Sequence, residues 1–186
     1  MPANYFPLQI HWHTPSEHAT KDKDGNAVHY SAEAHIVHAD EGSTNLSVLG
    51  IFFDVPKAFT SDDEGESEFI KNFFEGFADA EKDDENEAKG EINMALLITE
   101  LRQDSGFWMY DGSLTTPPCT EGVKWTVLKG ALTMSKNQLD KMSEFTKGTY
   151  QKPTDGTPAK IEQKYLDDVN INTVNPSKGG GNNRKI

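Results

Sequence analysis

The sequence is poor in cysteine: Cys119 is the only one among 186 residues, so no disulfide bond can form within the chain. A single thiol is typical of a reducing compartment, of a buried residue without a redox role, or of a bridge to a cysteine outside this sequence. Long hydrophobic runs are missing too, since the longest, within residues 47–55, falls far short of the roughly 20 residues that cross a bilayer. These absences exclude a cysteine-rich scaffold and predict a chain without a membrane span.

Positive charge is scarce as well. The sequence has 18 Lys and Arg residues against 30 Asp and Glu residues, which gives a formal charge of −12. Because an acidic surface repels phosphate backbones, we expect no nucleic-acid partner. The first four residues have neither the basic nor the apolar segment of a signal peptide. Aromatic residues are plentiful, however, and ten Phe, three Trp and five Tyr supply enough apolar surface for a core, which excludes wholesale disorder.

Alternation of apolar and polar residues, the pattern of half-buried strands, dominates the chain. Residues 8–13, 30–38 and 123–128 alternate in this way. Residues 45–55 are apolar on both faces, which is typical of a central buried strand. Residues 107–110 predict a further strand, which should end at the turn-like pair Asp111-Gly112. The polar residues 20–27 between the first two of these segments are expected to form a loop.

Helix patterns are few and short. Residues 61–89 are strongly acidic and interrupt the strand pattern. Within them, apolar residues recur at helical spacing: Phe69, Ile70, Phe73, Phe74 and Phe77. This insertion is therefore expected to hold one amphipathic helix that covers the core, followed by a solvated acidic linker over residues 82–89.

Ser135 and Gln138 form a capping box, which predicts a helix over residues 136–145. Residues 94–98 are apolar and fit either a strand or a helix. The length predicts one domain. We therefore predict a mainly β (α+β) fold, with a central twisted and mostly antiparallel sheet and a few short peripheral helices.

Three histidines in the strand segments suggest a metal site. His11 and His13 share one strand face, where their Cβ atoms would lie about 7 Å apart. His35 lies on a second alternating strand, which would supply a third ligand if the two strands are neighbours. Three neutral imidazoles and one open position form the usual catalytic zinc site. A His-x-His pair alone is a weak signal, since such pairs are more often ordinary surface residues.

Polar residues near these histidines strengthen the metal interpretation. Glu33 shares a face with His35, and Gln9 shares a face with the first pair, so each can accept the outer N–H of a ligand histidine. The other histidines lack such support. We expect His18 and His29 at the surface or in loops, and His38 in the core or at an interface.

Several segments resemble the α-class carbonic anhydrases. Residues 9–13, 16–18 and 32–38 resemble that family's zinc-site segments, and residues 113–121 resemble its active-site loop. Residues 45–53 resemble the strand that lines its carbon dioxide pocket. The segments occur in the family's order at the expected intervals, so a chance match is excluded in practice.

The resemblance implies one Zn²⁺ per chain, held by His11, His13 and His35. Gln9 and Glu33 match residues that accept hydrogen bonds from the first and third ligands. Thr115 matches the threonine that orients zinc-bound hydroxide, and Glu17 matches the buried carboxylate that receives the proton of that threonine. A hydroxyl that donates to a carboxylate presents a lone pair on its other side, which is why this pair would orient the nucleophile.

The resemblance also implies a substrate and a reaction, the reversible hydration of carbon dioxide to bicarbonate and a proton. Four residues match the apolar wall of the carbon dioxide pocket: Val37, Val48, Leu114 and Trp125. Thr115 and Thr116 match residues that border bicarbonate. Sulfonamides or anions are the expected inhibitors. The alternative is an inactive carbonic-anhydrase-like module that binds a partner, whereas a zinc peptidase is disfavoured because no His-Glu-x-x-His helix is present.

Both ends of the sequence depart from the family pattern. Family members carry several strands before the first histidine pair, whereas ten residues precede His11 here. The family's proton-shuttling histidine would lie in that N-terminal part, so no residue is assigned to this role. The resemblance pairs Cys119 with a cysteine of the same part in secreted members, which favours a secreted or periplasmic protein. Residues 182–185 are similar to an Asn-x-Arg-Pro motif, with Lys185 in place of proline.

Overall fold

The computed structural model describes residues 4–42, 45–79, 81–83, 87–89, 92–101, 106–116, 119–146, 151–154 and 157–160. They divide into two compact units. The first consists of the described residues within 1–54 and 104–131, and the second of those within 55–103 and 132–163. The expectation of one domain over the whole sequence stays a prediction.

The described residues form strands and short helices in the following order: β1 Tyr5–His13, β2 Thr20–Lys21, β3 Ala27–Val28, β4 Ala32–Asp40, β5 Leu46–Asp54, α1 Glu68–Asp79, β6 Glu81–Asp83, β7 Glu87–Lys89, α2 Met94–Glu100, β8 Phe107–Ser113, β9 Glu121–Thr133, α3 Lys136–Thr146, β10 Gln151–Thr154 and β11 Thr157–Lys160. None of these helices is long and apolar enough to span a membrane.

A five-stranded mixed sheet with the strand order β1-β4-β5-β9-β8 is the main element. The pairs β1–β4, β4–β5 and β8–β9 are antiparallel. Strand β5 lies in the middle of the sheet and most of its residues are buried, as expected of a segment that is apolar on both faces. The predicted mainly β fold with a few short helices is therefore confirmed.

Strand register places the histidines and the apolar core on one face of this sheet. His11 pairs with His35 and His13 with Glu33 across β1 and β4, while His35 pairs with Gly50 across β4 and β5. Side chains two residues apart share a face, so His35 and Glu33 lie on the same side of β4. A buried cluster packs in this unit: Val37, Val48, Phe52, Val123, Trp125 and Val127. The core thus forms one wall beside the histidines.

Three short predictions differ from the structure. Residues 20–27, predicted as a loop, contain the small hairpin of β2 and β3, whose turn includes Gly25 with a φ of +83°. Residues 82–89, predicted as a linker, include strand pair β6 and β7. The turn predicted at Asp111-Gly112 is wrong, because both residues continue β8 and pair with β9. Local composition favours turns at such polar and glycine residues, but pairing with a neighbouring strand outweighs that preference.

Within the second unit, α1 buries the aromatic and aliphatic face that its spacing predicted: Phe69, Ile70, Phe73 and Phe74. The side chain of Phe77 lies outside the described residues. Residues 94–98 are helical, and the Asn93 side chain caps α2 by accepting the Ala95 N–H at 3.0 Å.

The predicted capping box of α3 is present. The Ser135 hydroxyl accepts the Gln138 N–H at 3.1 Å, and the Gln138 side-chain oxygen accepts the Ser135 N–H at 3.3 Å. Gln138 also accepts the Ser67 N–H and donates to the Ser67 carbonyl, so one buried amide serves the starts of α1 and α3. The motif at residues 182–185 lies outside the described residues.

Candidate metal centre

The three predicted ligands converge. His11 and His13 come from the end of β1, and His35 comes from the facing position on β4. Nε2 of His13 lies 3.0 Å from Nδ1 of His35, and Nε2 of His11 lies 3.3 Å from the same atom. One nitrogen from each ring therefore points to a common point, and all three nitrogens lie within 4.8 Å of one another.

These distances fit a zinc ion. Tetrahedral zinc with Zn–N distances of about 2.0–2.1 Å holds its nitrogen ligands about 3.3 Å apart. The observed spacings of 3.0 and 3.3 Å are close to this value. Three nitrogen donors leave one tetrahedral position for a small molecule, which is the arrangement of catalytic rather than structural zinc.

The surroundings keep two of the three donor rings, those of His11 and His13, neutral at pH 7. Burial first, and then the neighbouring His35, lower the pKa of His11 to about 3 against an opposing effect of Glu33. Burial, His35 and His11 likewise lower the pKa of His13 well below its usual value. A neutral imidazole has a free lone pair, so at neutral pH these rings are ready to bind a cation without first losing a proton.

Glu33 anchors the third histidine from behind. Its carboxylate is fully buried, and Oε1 lies 3.0 Å from Nε2 of His35. Burial raises the pKa of Glu33, but hydrogen bonds from His18 and His35 outweigh this effect and hold the pKa below its usual range. An ionised carboxylate only accepts, so it favours the proton on Nε2 of His35, and the lone pair of Nδ1 then faces the other two rings.

His18 is the functional-site residue that sequence reasoning misplaced. His18 lies in an irregular segment, as a loop position requires, but the expected surface location is wrong, because its side chain is fully buried. Its Nδ1 lies 2.6 Å from Oε1 of Glu33, and its backbone N–H donates to Oε2 at 2.9 Å. The hydroxyl of Tyr110 lies 2.6 Å from its Nε2. A chain of contacts thus runs from Tyr110 through His18 and Glu33 to His35.

No periodic pattern in the sequence indicates this chain of contacts. His18 follows β1 in an irregular segment, and Tyr110 lies on β8, far away in sequence. The only signal was the triplet of residues 16–18, which the family resemblance singled out. The role of His18 is apparent only in the folded chain, where its side chain contacts Glu33 on β4 and Tyr110 on β8.

The other predicted residues take varied positions. Glu17 and Thr115 are both buried, and Oε2 of Glu17 lies 3.9 Å from Nδ1 of His35. Thr116 is exposed. Gln9 is exposed, and the predicted hydrogen bond from a ligand histidine to its amide oxygen is not made within the part of the chain that the structure describes. Nδ1 of His11, its expected donor, is buried there without a hydrogen-bond partner.

The predicted substrate wall comes together. Val37, Val48 and Trp125 are buried in one cluster, and Leu114 packs against it. The Trp125 ring lies edge-on to His35, with ring centroids 4.8 Å apart. An apolar surface therefore adjoins the polar histidine group, which suits a small molecule that is itself apolar.

The two remaining histidines make local backbone contacts. Nδ1 of His29 lies 2.7 Å from the Ser16 carbonyl, and Nδ1 of His38 lies 3.0 Å from the Ile36 carbonyl. His38 is half-buried, and neither residue belongs to a metal-ligand group among the described residues.

Fold and site together define a β-sheet protein with a group of three histidines that could hold a metal ion. Residues 4–169 match the sequence model of the eukaryotic-type carbonic anhydrases. The chain belongs to this family, whose general reaction is the hydration of carbon dioxide.

Individual relatives support the assignment. The chain is 36% identical to alpha carbonic anhydrase 3 of Arabidopsis thaliana over 152 residues. This matched region covers 80% of this chain and 48% of the relative. The chain is also 36% identical over 139 residues to dioscorin dioA3 of Dioscorea japonica, covering 73% and 44% of the two chains. The α-carbonic anhydrase of Thermovibrio ammonificans, solved with the inhibitor sulfanilamide, is 34% identical with a TM-score of 0.55, covering 76% and 55%. The chain thus spans about half the length of the curated relatives it matches.

Proposed function

We propose that this chain binds one zinc ion through His11, His13 and His35 and catalyses the reversible hydration of carbon dioxide. The observation that carries the proposal is the convergence of three imidazole nitrogens, at 3.0 and 3.3 Å, beside a buried apolar wall. Zinc held in this way lowers the pKa of a coordinated water towards neutrality, an effect for which carbonic anhydrase is the standard example.

The protein's own residues supply orientation and a dry environment. Glu33 fixes the tautomer of His35, and Trp125 with Val37 and Val48 forms the apolar surface against which carbon dioxide would lie. To Thr115 we assign the orientation of the attacking water oxygen, with its hydroxyl donating to Glu17. A carboxylate only accepts, so this contact would leave a threonine lone pair facing the metal side. Since both residues are buried, water would compete little with such a contact.

Stopped-flow measurement of carbon dioxide hydration tests the proposal. The zinc-loaded chain is expected to accelerate hydration above the rate of buffer with free zinc, and sulfanilamide is expected to abolish the acceleration. Removal of the metal with a chelator should have the same effect, and adding zinc back should restore the rate. A zinc-loaded, folded chain without inhibitable activity would instead favour the partner-binding module.

Thr115→Ala is expected to keep zinc while lowering kcat/KM by about 100-fold, which is a typical result of misplacing a reacting group by about 1 Å. Metal content is measured by elemental analysis and rate by stopped flow. Thr115→Ser is the matched control, because it keeps the hydroxyl and should retain most of the rate. Loss of zinc in parallel with the rate would contradict the orienting role of Thr115.

A further inference from the structure

Strand β5 has a glycine directly opposite the third histidine. The register of β4 and β5 pairs Gly50 with His35, and Phe52 with Glu33. Glycine weakens the middle of a strand, since it has no side chain to pack and loses more backbone entropy than other residues. Its φ is not in the positive range that favours glycine, so the backbone conformation does not require it. A reason for glycine at this position must lie in the space around it.

That space is occupied by the Glu33 carboxylate. A Cβ atom added to Gly50 would lie 2.9 Å from Oε1 of Glu33 and 3.3 Å from a methyl group of Val127. The first distance is shorter than the contacts that Cβ atoms make with other heavy atoms in proteins, so the carboxylate would have to move. Val127 is fully buried and leaves little freedom on the other side.

The displaced atom is the one that organises the centre. Oε1 of Glu33 lies 2.6 Å from Nδ1 of His18 and 3.0 Å from Nε2 of His35. Oε2 is held separately by the His18 backbone N–H at 2.9 Å. Moving Oε1 would therefore weaken the contact that fixes the His35 ring, while leaving the carboxylate attached on its other side.

We propose that Gly50 is a positioning residue for the metal centre: its missing side chain makes the space from which Glu33 orients His35. The inference rests on the proposed zinc function. It assigns to Gly50 a role that acts through Glu33, with no contact to metal or substrate. Because the end of a carboxylate side chain can rotate, we expect the fold to accept a methyl group here. The expected loss is in zinc affinity and not in stability.

The test measures zinc affinity by chelator competition, and thermal unfolding of the metal-free protein, for Gly50→Ala and two companions. Gly50→Ala is expected to lower zinc affinity by about 10- to 100-fold, as loss of a hydrogen-bond partner of a ligand histidine does. Its metal-free unfolding midpoint should stay close to that of the unmutated chain. Gly25→Ala is the matched control, since nothing lies within 4 Å of that position and its φ is +83°. It should lower the midpoint slightly and leave zinc affinity unchanged.

A double-mutant cycle with Glu33→Ala separates positioning from simple packing. If Gly50 acts through Glu33, adding Gly50→Ala to Glu33→Ala should change zinc affinity by less than about threefold, because the atom it would displace is gone. An unchanged zinc affinity in Gly50→Ala alone overturns the inference, and so does a full loss that persists in the Glu33→Ala background. If Glu33→Ala fails to fold, the single variant still decides: a fall in affinity that only follows a fall in stability means a packing role. An unmutated chain without zinc affinity overturns the proposed function itself.

Discussion

Replacing His35 by alanine is expected to lower zinc affinity by more than about 100-fold and to abolish carbon dioxide hydration. Removing only the outer hydrogen-bond partner of a ligand histidine typically costs 10–100-fold in affinity, so the loss of the ligand itself should exceed that range. Nδ1 of His35 is the atom that both other rings approach, at 3.0 and 3.3 Å. Without it the two remaining nitrogens form an ordinary histidine pair, which binds zinc weakly.

Two companions separate metal loss from unfolding. His35 is fully buried, so His35→Ala also opens a cavity and leaves Glu33 without one of its partners. His13→Ala removes a half-buried ligand from the end of β1 and should lose zinc to a similar extent with less effect on folding. His38→Ala on the same strand as His35 is the matched control and should keep zinc. Zinc content that survives His13→Ala and His35→Ala in folded protein would refute the three-histidine site.

Periodicity alone predicted most of the sheet and the position of the histidines. Alternation in β1 and β4 placed His11 and His13 on one face and His35 on another strand, and the register then brought them together. A different pattern, apolar residues on both faces, identified β5 as central, because a strand buried on both faces lies inside the sheet rather than at its edge. A capping box carries its own geometry within four residues, which is why the start of α3 was predicted correctly.

Contacts between segments distant in sequence escaped prediction for a physical reason. The burial of His18 depends on Glu33 and Tyr110, which lie on two different strands, and nothing near His18 in sequence encodes them. The sequence around Gly50 gives no sign of its role for the same reason, since that role depends on Oε1 of Glu33 on the neighbouring strand. At Asp111-Gly112 the local sequence predicted a turn, but the structure continues the strand, because pairing with β9 outweighs the local turn preference.

Trp125 belongs to the apolar wall and contacts the His35 ring, and we expect its replacement to have the second-largest effect of these predictions. Trp125→Ala is expected to lower the free energy of unfolding by about 3–5 kcal/mol, the usual cost of emptying a buried aromatic site. The ring is 2% exposed, stacks on Tyr110 at an interplanar angle of 3°, and lies 5.1 Å from the His18 ring. Urea unfolding of the metal-free protein measures the change.

A conservative variant isolates the hydrogen bond of the same side chain. Nε1 of Trp125 donates to the Ser113 carbonyl at 3.0 Å, at the end of β8 and two residues before Thr115. Trp125→Phe keeps an aromatic ring but removes the Nε1 donor from that carbonyl, so we expect a loss of about 0.5–1.5 kcal/mol, the net contribution of a typical hydrogen bond, and a lower hydration rate. Trp108→Ala, at a half-buried tryptophan on β8, is the matched control and should cost less than Trp125→Ala. Equal costs at the two tryptophans would show that Trp125 is no more important to this wall than a peripheral ring.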